Sequence, residues 1–243
     1  MTIPDTAMLL AAGLGKRLRP ITDTMPKPLV KVAGKSLIDW GLDALNAAGV
    51  ARAVVNVHYL ADQMEQHLGS RRSPAIAISD ERTELLDSAG GIVKALPLIG
   101  QGAFYILNAD TFWIDGPRPN LVRLAEAWDA SKMDILVMVA RMDQATGYEG
   151  RGDFTVDAQG RLQRFREGDA SPYIYAGAAI THPRLFEGKP VARASLNRYF
   201  DEAISAGRLF GMPMQGRWLT VGTPEAIGEA EAVIAGLGQE THG

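Results

Sequence analysis

The first apolar run, residues 7–12 (AMLLAA), is short and unbroken, the pattern of a strand buried on both faces. Residues 13–28 follow as a loop rich in glycine and proline. Residues 36–48 read as a helix, because Leu37, Ile38, Gly41, Leu42 and Leu45 recur on one face and Gly49 stops it. Further strands are expected at 53–57, 75–79, 103–108 and 134–140, with helices at 60–68, 88–96 and 121–131. Ser88 is expected to cap its helix and Pro97 to end it. Strands alternating with helices over the first 140 residues predict βαβ units and a mostly parallel sheet with right-handed crossovers.

Beyond residue 140 the pattern changes. Residues 153–156 and 161–166 flank a DAQG turn at 157–160, which suggests a hairpin. A strand at 173–180, a helix at 195–206 and short extended pieces at 209–214 and 217–221 follow. A closing helix spans 223–236, with Pro224 in its first turn. No repeat, low-complexity tract or linker interrupts the chain, so a single domain over 1–243 is expected.

Composition narrows the function classes. The 243 residues are 47% hydrophobic and 22% charged, with net charge −3, so no global basic field attracts nucleic acid or a membrane surface. Cysteine is absent, which excludes disulfides, thiolate nucleophiles and cysteine-bound zinc. His58, His67, His182 and His242 lack metal-ligand spacing. Residues 1–6 are short and polar, Lys16 and Arg17 interrupt the following apolar run, and no stretch reaches the ~18 apolar residues of a membrane span. A soluble, cytoplasmic protein is expected, with self-association left open.

The loop after the first strand carries the chemistry. Gly13 and Gly15 let backbone approach phosphate oxygens, and successive N–H groups in such a loop form an anion nest. Arg17 offers a fork of donors suited to phosphate, and Pro26 and Pro28 stiffen the backbone around Lys27. Leu18 breaks a G-x-G-x-x-G match, and Arg17 stands where a P-loop needs Ser or Thr, so a dinucleotide fold and a P-loop are both disfavoured. Asp110 closes the apolar strand ending at Asn108, at the strand end where open α/β sheets bind ligands. Its carboxylate suits Mg²⁺, which prefers oxygen ligands; on the residues alone, a plain turn-capping Asp is equally open.

Leu10, Ala11, Ala12, Gly13, Gly15, Arg17, Leu18, Pro20, Thr22 and Pro26 to Leu29 together resemble the signature LAAGxGxRLxPxTxxxPKPL of the sugar-1-phosphate nucleotidyltransferase family. The resemblance implies an α/β fold of the glycosyltransferase-A type, a Rossmann-like, mixed and mostly parallel sheet flanked by helices. Residues 1–140 would form its nucleotide-binding half and 141–243 its sugar-binding half. It implies attack of a sugar 1-phosphate on the α-phosphorus of a nucleoside triphosphate, with pyrophosphate leaving. Arg17 and Lys27 would be catalytic, and Asp110 would hold Mg²⁺. Leu10, Ala11, Ala12, Gly13, Gly15 and Arg17, with Gly90 and Gly91, would bind the nucleotide; Asn108, Gly177, Glu167 and Arg151 would meet the sugar.

Departures qualify this. Ala109 replaces a usual glycine, and Thr220 stands at the aspartate of the family's W-x-D-x-G-T-P, here Trp218 to Pro224. Gly168 follows Glu167, where longer relatives carry lysine. Residues 88–100, 150–154 and 182–188 are similar to the N-acetylmuramate-1-phosphate uridylyltransferase branch, which implies UTP as donor. Arg151 and Arg217 are then candidates for the lactyl carboxylate of muramate. A guanylyl- or thymidylyltransferase, or a non-catalytic nucleotide-sugar sensor, stays open, the last because of Thr220.

Overall fold

Successive residues of the first strand face opposite sides of the central sheet, and both sides are covered. Leu9, Val55 and Leu107 join one apolar cluster, and their neighbours Met8, Val54 and Ile106 join another. All six are 0–1% exposed, which explains the unbroken apolar runs. The computed structural model describes residues 3–240. Met1, Thr2 and His242, on which some expectations fell, lie outside them.

The strands are β1 (Thr6–Leu10), β2 (Lys31–Val32), β3 (Lys35–Ser36), β4 (Arg52–Val57), β5 (Ala75–Asp80), β6 (Phe104–Asn108) and β7 (Thr111–Asp115). They continue as β8 (Ile135–Arg141), β9 (Ala145–Thr146), β10 (Phe154–Val156), β11 (Leu162–Arg164), β12 (Tyr173–Thr181), β13 (Leu209–Pro213) and β14 (Gly216–Thr220). The helices are α1 (Leu37–Ala47), α2 (Ala61–Leu68), α3 (Asp87–Ile99), α4 (Asn120–Ala127), α5 (Leu196–Ser205) and α6 (Pro224–Glu240).

In the main sheet, β1 lies between β4 and β6, parallel to both, and β5 extends the parallel set beyond β4. β12 runs antiparallel to β6 on one side and β8 on the other, and β13 is parallel to β8. The β10–β11 hairpin joins β12 at Tyr173. The register of β12 slips between Tyr175 and Ala179, around Gly177 at φ 78°. A second sheet of order β7-β14-β9 packs with Leu18, Phe112, Leu219 and Val221 over a smaller core that includes Ala230 of α6. Among the described residues no helix is long and apolar enough to cross a membrane.

Several boundaries depart from the pattern reading. Ser88 does not cap α3: the helix starts at Asp87, and the Ser88 hydroxyl accepts instead from Leu196 N at 2.8 Å, tying α3 to α5. Pro97 lies inside α3, which runs on to Ile99, because a proline this near the end deprives only one carbonyl a turn earlier. α4 ends at Ala127 rather than at 131, since Asp129 takes the N–H and hydroxyl of Ser131 into a local turn. β7 was not anticipated; it starts just after Asp110 and carries the chain into the second sheet.

Candidate active site

At the C-terminal ends of β1 and β6, two cavities of about 440 and 940 Å³ adjoin and share Asn108 and Asp110. Leu10, Ala11, Ala12 and Gly13 line the smaller one with Lys27, Asn56, Asp87 and Ser88. Lys27 Nζ lies 2.8 Å from Asp110 Oδ2, with the lysine side chain 11% exposed and the aspartate 40%. The loop between β1 and Lys27 is built for this approach. Gly15 has φ 61°, and a Cβ there would stand 2.9 Å from Lys27 Cβ and 3.0 Å from Thr22 Cγ2, so glycine is needed on both counts. Thr22 Oγ1 donates to Gly15 O at 2.8 Å, and Tyr59, just before α2, donates from its hydroxyl to Thr22 O at 2.9 Å. Arg17 reaches from the same loop into the larger cavity, beside Gly222.

The floor of the smaller cavity hangs on a buried polar network that the sequence reading missed. Ala11 N donates to Asn56 Oδ1 at 2.7 Å, Asn56 Nδ2 donates to Glu81 Oε1 at 2.7 Å, and Leu86 N donates to Glu81 Oε2 at 3.0 Å. Asn56 is 3% exposed and Glu81 0%. The signal available was Asn56 itself, a polar residue inside the apolar run AVVNV. Gly90 and Gly91 do not line this cavity. They sit within α3, where a Cβ on Gly91 would stand 2.6 Å from Glu81 Oε1, and one on Gly90 would collide with the Ala192 carbonyl. Their smallness lets the helix pack onto the network, while Asp87 and Ser88 present themselves to the cavity.

In the larger cavity Gly177 stands against Thr111 and Asn108, so close that a Cβ would collide with Thr111 Oγ1. Thr111 and Tyr175 line this cavity, and their hydroxyl oxygens, both buried, have no hydrogen-bond partner among the described residues. Buried hydroxyls of this kind are normally satisfied. Burial pushes the Tyr175 hydroxyl up, helped by the charges of Asp110 and Asp153, so it stays a neutral donor. Burial also raises the Asp153 carboxyl, against a hydrogen bond from Tyr175 N and the charge of Arg164.

Arg151 and Glu167 are not brought into this site. They line a separate shallow depression with Phe165, their side chains 83% and 92% exposed and 3.9 Å apart. Glycines in the left-handed region, Gly152 at φ 97° and Gly168 at φ 99°, bend their loops. Arg217 is exposed too and donates to Asp143 O at 2.8 Å. The cations that line the larger cavity are Arg17 and Arg164.

Among the described residues no three His, Asp or Glu side chains are grouped to enclose a metal. Thr220 pairs with Thr111 across β14 and β7, and Val221 N donates to Asp110 O at 3.2 Å, so Thr220 sits beside Asp110 but offers only a hydroxyl. The Asp110 carboxylate and the amide of Asn108 make a small hard-oxygen set. It suits a cation whose remaining ligands are phosphate oxygens and water.

Comparison with known proteins shows the family and the fold. The nucleotidyl transferase family model matches residues 6–235. The chain is 43% identical to N-acetylmuramate alpha-1-phosphate uridylyltransferase of Caulobacter vibrioides, covering 96% of this chain and 98% of that one. It is 34% identical to the enzyme of the same name from Neisseria meningitidis, over 93% and 97%. Mannose-1-phosphate guanyltransferase beta-B of Xenopus laevis is 29% identical over 90% of this chain and 61% of its own length. Among solved structures, HddC of Yersinia pseudotuberculosis complexed with GMP-PN superposes with TM-score 0.75 at 22% identity, covering 94% of this chain and 99% of that one. UDP-glucose pyrophosphorylase complexed with UDP-glucose gives 0.74 at 20%, over 95% and 98%. These two share the fold, a mixed, mostly parallel sheet flanked by helices. With the family model spanning nearly the whole chain and two full-length relatives above 30% identity, the chain belongs to the nucleotidyl transferase family.

Proposed function

We propose that this chain transfers uridylyl from UTP to N-acetylmuramate 1-phosphate, giving UDP-N-acetylmuramate and pyrophosphate, a step in recycling peptidoglycan sugar. The observation that carries the reading is the Lys27–Asp110 pair where two cavities adjoin, one walled by the backbone of Leu10 to Gly13 and the other by Arg17 and Arg164. The two full-length uridylyltransferase relatives favour this donor and acceptor. The guanyltransferase relatives are less similar, and this chain spans 61% of the length of the first of them.

In this reading the base enters between Leu10–Gly13 and Asp87–Ser88, the phosphates lie at Lys27 and Asp110, and the sugar occupies the larger cavity. An oxygen of the sugar phosphate forms a bond to the α-phosphorus while the α–β bridging bond breaks, and its electron pair leaves with pyrophosphate. The acceptor is already an anion, so no strong general base is required. The barrier is repulsion between anions and charge on the leaving group. Lys27 answers the charge shared by acceptor and α-phosphate. Arg17 holds the leaving phosphates with a donor fork. Members of the family generally use a divalent metal; Asp110, beside the Asn108 amide, would hold Mg²⁺, which supplies charge neutralisation on the phosphates.

The test is pyrophosphate release from UTP with N-acetylmuramate 1-phosphate, run beside GTP and dTTP with mannose and glucose 1-phosphates. Preferred turnover of the first pair supports the reading. Preference for a guanylyl or thymidylyl pair overturns the substrate assignment. Tight nucleotide binding with no pyrophosphate from any pair replaces it with a sensor.

A further inference from the structure

We propose that Arg164 makes the larger cavity selective for a sugar phosphate whose sugar carries a second negative group. The inference rests on the uridylyl-transfer reading and concerns the end of the cavity away from the phosphates. Arg164 ends β11, and its Cζ lies 5.0 Å from the Phe154 ring centre and 5.9 Å from that of Phe200. Its Nε donates to Asp201 Oδ1 at 2.7 Å, and its Nη2 donates to Asn197 O at 3.2 Å and Oδ1 at 3.0 Å. Nη1 makes no hydrogen bond among the described residues. The guanidinium is thus fixed against two aromatic rings with one donor group unspent, an arrangement suited to receiving a carboxylate.

Its place in the cavity follows from its neighbours. Phe200, which Arg164 overlies, packs edge-on to Tyr175 at 5.4 Å, and Tyr175 N donates to Asp153 Oδ2 at 2.8 Å, so Arg164 stands on the wall formed by β10, β12 and α5 while Asp110 follows the end of β6. Arg17, the other cation of the wall, lies near Gly222 and is committed to phosphate in the reading above. The wall also carries Glu149, Glu225 and Glu229. An anionic substituent is therefore tolerated only where a cation answers it, which singles out Arg164. A neutral hexose phosphate has no use for this device. The lactyl ether of N-acetylmuramate places a carboxylate on the sugar ring and does. Arg151 and Arg217, the candidates from sequence, lie outside the cavity.

The test compares kcat/KM with UTP for N-acetylmuramate 1-phosphate and for N-acetylglucosamine 1-phosphate, which lacks only the lactyl group, in wild type, Arg164→Gln and Arg164→Lys. The expected result is a loss of roughly tenfold or more on the muramate substrate in Arg164→Gln, mainly in KM, as for removal of a hydrogen bond to a charged group. The glucosamine substrate should change little, and Arg164→Lys should recover part of the preference. An equal loss on both sugars, or a preference unchanged in both variants, overturns the proposal. If the wild type turns over neither sugar with UTP, the uridylyl-transfer reading fails on its own. Calorimetric binding of N-acetylmuramate 1-phosphate to wild type and Arg164→Gln then decides the role of Arg164, equal affinity overturning it.

Discussion

Lys27 and Asp110 meet at 2.8 Å across 83 residues of sequence, the lysine almost wholly buried and the carboxylate open to both cavities. Before substrates arrive, the charge of Asp110 is answered by the ammonium. In the proposed reaction, incoming phosphates would compete for Lys27 and so release the carboxylate for a metal. Lys27→Met should lower kcat by about 10²–10³-fold, the scale for losing one preorganised charge-stabilising group. It should also tighten Mn²⁺ binding to the nucleotide-free protein, followed by paramagnetic resonance. A fully active Lys27→Met protein would remove the residue from the mechanism.

Asn56 joins the strand-end backbone at Ala11 to the buried Glu81 carboxylate. Asn56→Ala deletes an acceptor and a donor together and leaves Glu81 with a lost partner at 0% exposure. The expected cost is about 2–4 kcal/mol. Thermal unfolding should show it as a midpoint lower by about 2–4 °C per kcal/mol for a chain of this size. Nucleotide KM should rise as well, because the backbone that lines the smaller cavity loses its tether. A variant with unchanged midpoint and KM would show the network to be dispensable.

The parts of this molecule legible in the sequence are those governed by local pattern. β1, β4 and β6 announce themselves because strands buried on both faces are apolar throughout, and α1 because its buried face repeats at helical spacing above a Ser36 cap. The loop through Gly15 and Lys27 was legible because only glycine fits its close approach. What stayed hidden depends on partners distant in sequence. Gly90 and Gly91 read as backbone for a base, yet the space at their Cα atoms is filled by Ala192, Glu81 and Asn56. Nothing in the order of residues told exposed Arg151 from aromatic-bound Arg164; that distinction comes from Phe200 and Asp201 on α5, more than thirty residues away.

Asp153 gives a pH prediction. Burial raises its carboxyl above the ordinary 3.8, so the folded state holds this proton to higher pH than the unfolded chain does. Wild type therefore loses stability as pH rises from the unfolded value through the folded one, and the loss is constant above it. Asp153→Asn keeps an oxygen to accept from Tyr175 N but cannot ionise. Its stability relative to wild type should grow as pH climbs past the ordinary carboxyl value of 3.8, then level off once the folded carboxyl has ionised. Denaturant midpoints across that range measure it; an advantage that shrinks with rising pH would reverse the assignment.

Gly177 and Gly188 allow the packing of the larger cavity to be separated from backbone strain. Both hold left-handed backbone, at φ 78° and 69°. At Gly188 a Cβ would meet nothing within 4 Å, whereas at Gly177 it would run into Thr111 Oγ1 and stand 3.4 Å from Asn108 Cβ. Gly188→Ala should therefore cost only the strain of a left-handed non-glycine residue, about 1–2 kcal/mol. Gly177→Ala carries that strain plus about 1–3 kcal/mol of overpacking in the core of β12. The functional consequences should part further. Moving Thr111 disturbs a hydroxyl beside Asp110 and should raise KM for the sugar phosphate, while KM for the nucleotide changes little. Gly188→Ala should leave both constants alone. Equal destabilisation of the two variants, with the sugar KM unmoved at Gly177, would mean that the strand slip serves the fold and that Thr111 has no part in holding the sugar.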